Sequence, residues 1–147
     1  MAGKKFTRHE VREGAFLLLY QAEIMNAAAP ESLDEILADC VEAFGFEINT
    51  EMQKLARGVL ENKDALDLVI AKYSATRKPE RLPKINLTII RMGIYEMDFQ
   101  PEIPDKVAIN EAIELSKEYA YPPDTKLISG LLGSYFREKQ GQNDERE

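Results

Sequence analysis

The sequence predicts an all-α protein of six or seven helices, arranged as two packed helical halves of one domain. Three observations predict it. Apolar residues recur at helical spacing along most of the chain. One type of helix-start signal recurs at Thr7-Arg8-His9-Glu10, Ser32-Leu33-Asp34-Glu35 and Thr50-Glu51-Met52-Gln53, each a Ser or Thr followed three residues later by Glu or Gln. No stretch alternates apolar and polar residues as a half-buried strand does, and no internal repeat is present.

The first capping box opens a helix that runs to about Asn26, with Val11, Ala15, Leu18, Leu19, Ala22 and Met25 on its inward face. The second opens a helix that turns Leu33, Ile36, Leu37, Cys40, Val41 and Phe44 inward and stops at Gly45. From the third, Met52, Leu55, Ala56, Val59 and Leu60 are followed by Leu66, Val69, Ile70 and Tyr73, as one long helix or two short ones. Residues 74–85, with Pro79 and Pro83, read as a linker between the halves. The next helix, about Leu87 to Asp98, is apolar nearly all round, which marks it as central. Another follows from about Lys106 to Tyr119, with Val107, Ile109, Ile113 and Leu115 inward. Pro122 and Pro123 break it. The last runs from Asp124 to about Lys139 on Leu127, Ile128, Leu131, Leu132, Tyr135 and Phe136. One domain over residues 1–140 and a disordered polar tail at 141–147 complete the expectation.

Composition narrows function mainly by exclusion. The 147 residues are 44% hydrophobic and 31% charged, ordinary for a soluble globular domain. A single cysteine, Cys40, allows no internal disulfide and suits a reducing cytoplasm. On the apolar face of a helix it reads as a small buried hydrophobe. One histidine and one cysteine do not make a common zinc site, and no phosphate loop or dinucleotide fingerprint is present. The expectation is a protein without catalytic residues, cofactor or metal. Lys4, Lys5 and Arg8 before the apolar run Gly14–Tyr20 imitate a signal peptide. Glu10, Glu13 and Glu23 argue for an amphipathic helix instead.

The net charge is −7, yet residues 1–12 carry Lys4, Lys5, Arg8 and Arg12 against Glu10 alone. Arg8 and Arg12 are one helical turn apart, His9 is adjacent, and the helix start adds free N–H groups and its positive dipole end. This is a small phosphate-binding surface, or equally a salt-bridge network with Glu10 and Glu13. Asn110 and Glu111 lie in an otherwise apolar stretch, where hydrogen bonding to backbone at a helix junction explains them.

That stretch carries a resemblance. Pro104-x-x-Val107-Ala108-Ile109-Asn110-Glu111-Ala112-Ile113-Glu114-Leu115-x-Lys117 resembles the pattern of the NusB family of bacterial transcription antitermination factors. Arg8, Arg12, Ala15, Leu19 and Tyr20 resemble its arginine-rich first helix. Glu80-Arg81-Leu82, Ile90-Arg91-x-x-Ile94-Tyr95-Glu96, Lys126 and Gly130 extend the similarity over about residues 7–137.

The resemblance implies an all-helical, cytoplasmic RNA-binding adaptor. With NusE, a small-subunit ribosomal protein, it would bind the boxA element of nascent RNA, join the RNA polymerase antitermination complex and favour complete transcription of ribosomal RNA operons. Lys4, Lys5, Arg8, His9, Arg12 and Lys126 would contact RNA. Tyr20, Glu80, Arg81 and Asn86 would lie near the NusE surface. The chain departs from the family at Leu17, Asn86-Leu87, Ala120, Pro122-Pro123, Leu127 and Ser129. At Leu127 an aromatic is usual, and stacking on a base is worth about 1–3 kcal/mol. The alternative reading is a protein–protein module or homodimer that docks through Phe16 and Leu17 and has lost RNA specificity. A third makes the chain the RNA-binding part of an rRNA cytosine methyltransferase, whose catalytic part it lacks.

Overall fold

A computed structural model describes residues 6–25, 33, 35–36, 49–74 and 78–146, with side chains as far as 141. Six helices and one 3-10 turn are bounded within them: α1 Arg8–Ile24, α2 Thr50–Glu61, α3 Lys63–Tyr73, the turn Pro79–Arg81, α4 Lys84–Phe99, α5 Asp105–Tyr119 and α6 Asp124–Arg146. No strand occurs among the described residues. The protein is all-α, as the sequence predicts. Two compact units divide the chain, residues 1–61 and 62–147. The boundary falls at Asn62 and not at the proline-bearing segment 74–85. Asn62 has φ −108° and ψ 13°, which breaks the Thr50–Tyr73 stretch into two helices.

In the first unit, α1 opens on the capping box read from the sequence. Thr7 Oγ1 accepts from the Glu10 N–H at 3.1 Å, and Glu10 Oε1 accepts from the Thr7 N–H at 2.9 Å. The buried face is Arg12, Gly14, Ala15, Phe16, Leu18, Leu19 and Ala22. This corrects the expected face at both ends, since Val11 is half-buried and Met25 is 47% exposed. It also corrects Phe16, which is 1% exposed and therefore no docking residue. Its ring lies parallel to that of Tyr20, one turn on, at 5.8 Å between centroids.

α1 packs on α2, and Gly14 is where they approach closely. A Cβ there would overlap the Met52 side chain. The α2 cap is Asn49, not Thr50. Its Oδ1 accepts from the Met52 N–H at 2.9 Å, the usual service of an N-cap asparagine. Leu33 and Ile36 are buried, as expected. Apart from the exposed Glu35, the remainder of the second predicted helix, Cys40 included, lies outside the described residues.

In the second unit, α4 is central. Asn86 to Ile94, Glu96 and Met97 are all buried, with α3, α5 and α6 packed around them. Gly93 lets α5 and α6 come close. A Cβ there would sit 3.1 Å from Leu132 Cδ1 and 3.6 Å from Ala112 Cβ. The close approach sets the phase of α5. Its buried residues are Ala108, Ala112, Leu115 and Ser116, while Val107 is 43% exposed and Ile109 and Ile113 are half-buried. Asn110, in mid-helix, is exposed and not at a junction.

Two polar ties fasten this unit. Arg91 forms a forked pair with Asp67 of α3, Nε to Oδ1 at 2.7 Å and Nη2 to Oδ2 at 2.9 Å. Tyr135 of α6 donates to Asp98 of α4 at 2.6 Å, and Lys139 pairs with Asp98 and Asp105, each at 3.2 Å. Burial, then the hydrogen bond and charge of Asp98 and the charge of Asp105, push the Tyr135 phenol above its ordinary value. α6 continues to Arg146, well past the expected stop, so its backbone is helical over the segment expected as a disordered tail. Extending a formed helix adds a hydrogen bond per residue, and Gln140, Gln142, Glu145 and Arg146 are good helix formers.

Candidate nucleic-acid interface

The residues expected at an RNA surface fall on two helix starts. Arg8 is the first residue of α1 and is exposed, and His9 beside it is half-buried. Lys4 and Lys5 lie outside the described residues. Arg12 shares the spacing of Arg8 but not its exposure. It is 5% exposed, on the buried face of α1. The spacing of two arginines reveals a shared face but not which way that face points. Because the Thr7–Glu10 box already occupies two backbone donors, charge at this end comes chiefly from Arg8 and the remaining N–H groups.

Lys126 belongs to the second unit, in the first turn of α6, and is exposed. It borders a cavity of about 350 Å³ lined by Tyr73 and Ser74 at the end of α3, by Leu82 after the 3-10 turn, and by Leu127, Gly130, Leu131 and Ser134 of α6. Sequence reasoning missed this cavity. Leu127 was expected inward, yet it is 47% exposed and forms part of the rim, while Leu131 at 6% lies deeper. Nothing stands within 4 Å of a Cβ built on Gly130, so the wall is open there.

The approach to α6 is held at several points. The Ala120 N–H donates to Ser116 O at 2.8 Å, the Asp124 N–H to Tyr121 O at 2.8 Å and the Thr125 N–H to Pro122 O at 3.3 Å. Ser116 Oγ donates to Ile113 O at 2.7 Å and lies 3.1 Å from Thr125 Oγ1. The loop between α5 and α6 is thus anchored to both helices. Tyr121, within it, is 70% exposed.

The residues expected near a protein partner separate by exposure. Glu80 and Arg81 are exposed on the 3-10 turn Pro79–Arg81, which Pro79 starts and the Leu82 N–H closes by donating to Pro79 O at 3.1 Å. Tyr20 is half-buried in α1 of the first unit, stacked on Phe16. Asn86 is 1% exposed, and its Nδ2 has no hydrogen-bond partner among the described residues. It lies in the first turn of α4, where the central helix is enclosed, so its amide is not presented at the surface as expected. Among the described residues, no helix is long and apolar enough to cross a membrane.

Comparison with known proteins bears directly on the chain. The NusB family matches residues 9–137. The transcription antitermination protein NusB of Lactiplantibacillus plantarum is 36% identical over 132 residues, covering 89% of this chain and 95% of the relative. The NusB protein of Listeria welshimeri is 31% identical over 127 residues, covering 86% and 94%. Among solved structures, T. maritima NusB superposes with a TM-score of 0.72 at 27% identity, over 89% of this chain and 91% of that one. A chain in the crystal structure of a plectonemic RNA supercoil has the same fold, with a TM-score of 0.77 at 20% identity over 90% and 97%. The match runs from the first turn of α1 into α6, through the helices that carry the surfaces described above. The chain belongs to the NusB family and is a transcription antitermination factor.

Proposed function

We propose that this antitermination factor is a non-catalytic adaptor that holds boxA-like single-stranded RNA together with NusE, and so couples nascent ribosomal RNA to the polymerase antitermination complex in the cytoplasm. The observation that carries the proposal is the family match over residues 9–137, at 31–36% identity to NusB proteins. The geometry supports it in one respect above others. Arg8 stands exposed at the positive end of α1, where a phosphate is favoured.

In this reading Arg8 and His9 position phosphates, with Lys4 and Lys5 in the lead-in. Arg12 adds charge from beneath. Lys126 marks the second contact, at the start of α6. Tyr20, Glu80 and Arg81 face NusE, while Asn86 is enclosed in the first turn of α4. Phosphate contacts fix register, and unstacked bases carry the sequence information. The low basicity of the chain makes RNA binding weak alone. NusE supplies a second surface and raises the effective concentration of each contact. The alternative of a protein–protein module or homodimer loses Phe16 as a docking residue, because Phe16 is buried, and keeps Leu17 and Leu127.

The test is fluorescence anisotropy of a labelled boxA-like RNA titrated with this protein, with and without NusE. Binding that tightens when NusE is added supports the proposal. Absence of RNA binding in both conditions overturns it.

A further inference from the structure

The most exposed aromatic ring among the large hydrophobics of the described residues is Tyr121, at 70%. It has no helical position of its own. It sits between the end of α5 and the start of α6, immediately before Pro122 and Pro123. Leaving a ring in water forgoes the free energy of burying it, and a single exposed ring needs no explanation by itself.

The loop beneath this ring sets it apart. Pro122 and Pro123 each fix φ, and Pro122 restricts Tyr121 to extended backbone. The Asp124 N–H closes a turn onto Tyr121 O itself at 2.8 Å, and the Ala120 N–H returns to Ser116 O at 2.8 Å. Ser116 and Thr125, 3.1 Å apart through their hydroxyls, tie the helix that ends before the loop to the one that begins after it. The backbone carrying the ring is held on both sides, so placing a ligand on the ring orders little that is not already ordered.

The surrounding chemistry selects the ligand. Lys126 is exposed one turn into α6 and Leu127 is 47% exposed, but Asp124 and Glu118 are acidic. One lysine against two carboxylates leaves a net of only about −1, so this end of the unit does not attract phosphate strongly. A flat ring in a nearly neutral setting suits the face of an unpaired base, which carries no charge. Lys126 remains to meet the phosphate that follows.

We infer that Tyr121 is a base-stacking residue of this chain, taking an unpaired nucleobase of a single-stranded RNA on its exposed ring, with Lys126 on the adjoining phosphate. This rests on the proposed RNA-binding function and adds a residue to it. Stacking accepts any base, so the contact adds affinity without strong sequence choice. It also adds no counterion release, so Tyr121 contributes to affinity at every salt concentration alike.

The chain has no tryptophan. Tyr121→Trp therefore gives a protein with one tryptophan, whose fluorescence a stacked base quenches. The test titrates this variant, Tyr121→Ala, Tyr121→Phe and the wild type with a boxA-like single-stranded RNA at two salt concentrations, in the presence of NusE. The inference expects quenching in Tyr121→Trp, near wild-type affinity in Tyr121→Phe, and a loss of roughly 5- to 150-fold in Tyr121→Ala with the salt slope unchanged. The ring is exposed, so the variants should keep the wild-type melting temperature. Wild-type affinity in Tyr121→Ala, with RNA still bound, overturns the inference and leaves the RNA-binding function standing. A wild-type protein that binds no RNA overturns both. Tryptophan fluorescence that responds to NusE alone and not to RNA also overturns the inference, and assigns the ring to a protein contact.

Discussion

Removing one partner of the Arg91–Asp67 pair separates a fold-holding contact from a decorative one. The guanidinium is 6% exposed and its partner carboxylate 25% exposed, with both bonds of the fork shorter than 3 Å. Breaking a buried pair by deleting one member costs about 3–5 kcal/mol, because the remaining charge loses that member's share of its compensation. Asp67 is a quarter exposed, so water partly replaces it and the cost falls to about 2–3 kcal/mol. Alanine also suits a helix better than aspartate by about 0.6 kcal/mol. The net expectation for Asp67→Ala is about 1.5–2.5 kcal/mol. At about 2.1 cal/mol/K of unfolding entropy per residue, a chain this long loses about 5–8 °C in melting temperature.

Circular dichroism against temperature, with a urea titration to confirm an unchanged slope, reads this directly. Replacing both partners, as Asp67→Leu with Arg91→Met, should return stability to within about 1 kcal/mol of wild type, since neither member of the pair is then left without the other. A fall of less than about 2 °C for Asp67→Ala would refute the reasoning, because the pair would then be as solvated as an ordinary surface ion pair.

Three further outcomes follow from named contacts. Gly14→Ala should destabilise the protein by up to about 2 kcal/mol, because overpacking costs about 1–3 kcal/mol while the helix gains about 1. The added methyl meets Met52 Cγ at 2.8 Å and Cε at 2.9 Å, so the loss should shrink in a Met52→Ala background, a coupling that thermal melts of all four proteins detect. Tyr135 is held neutral by its surroundings. Its contribution to stability is complete below the unfolded tyrosine value of about 10 and is lost as pH rises through the higher folded value. Ultraviolet titration should therefore show a tyrosine ionisation above the ordinary value that disappears in Tyr135→Phe, and a high-pH limb unchanged by that substitution would contradict the Asp98 contact. Arg8→Glu should weaken RNA binding several-fold and make the salt slope shallower by about one, with the helical spectrum unchanged. Arg8 suits this test better than Arg12, whose burial makes Arg12→Glu a folding perturbation as well.

The helices were legible because several local signals agree. The Thr7 capping box, the largely apolar α4 and the proline breaks each constrain backbone in their own neighbourhood, and all stand in the structure. Phase was less legible. On α5 the periodic isoleucines and Val107 look like the core face, but the tight approach at Gly93 turns the small residues Ala108 and Ala112 inward instead. Packing across three helices decides that, and no single segment encodes it. The last helix ran past its apolar pattern because propagation needs no buried face.

The site shows the same limit more sharply. The basic start of α1 could be read from charge, but the sequence could not reveal that Arg8 is exposed while Arg12 is buried. The cavity beside Lys126 draws its lining from α3, the 3-10 turn and α6, and only tertiary packing brings those segments together. The family signature at Pro104–Lys117 carried the functional reading. The physics of single residues placed charge and aromatic rings, and the fold decided which of them face solvent.

The most direct test of the central claim, that a few exposed cations of this acidic chain hold RNA, is the salt dependence of wild-type affinity for boxA-like RNA. Three or four phosphate contacts predict a slope of roughly −2 to −3 in log affinity against log salt. A slope near zero would contradict the account, because binding would then owe nothing to Arg8, Lys126 and their neighbours.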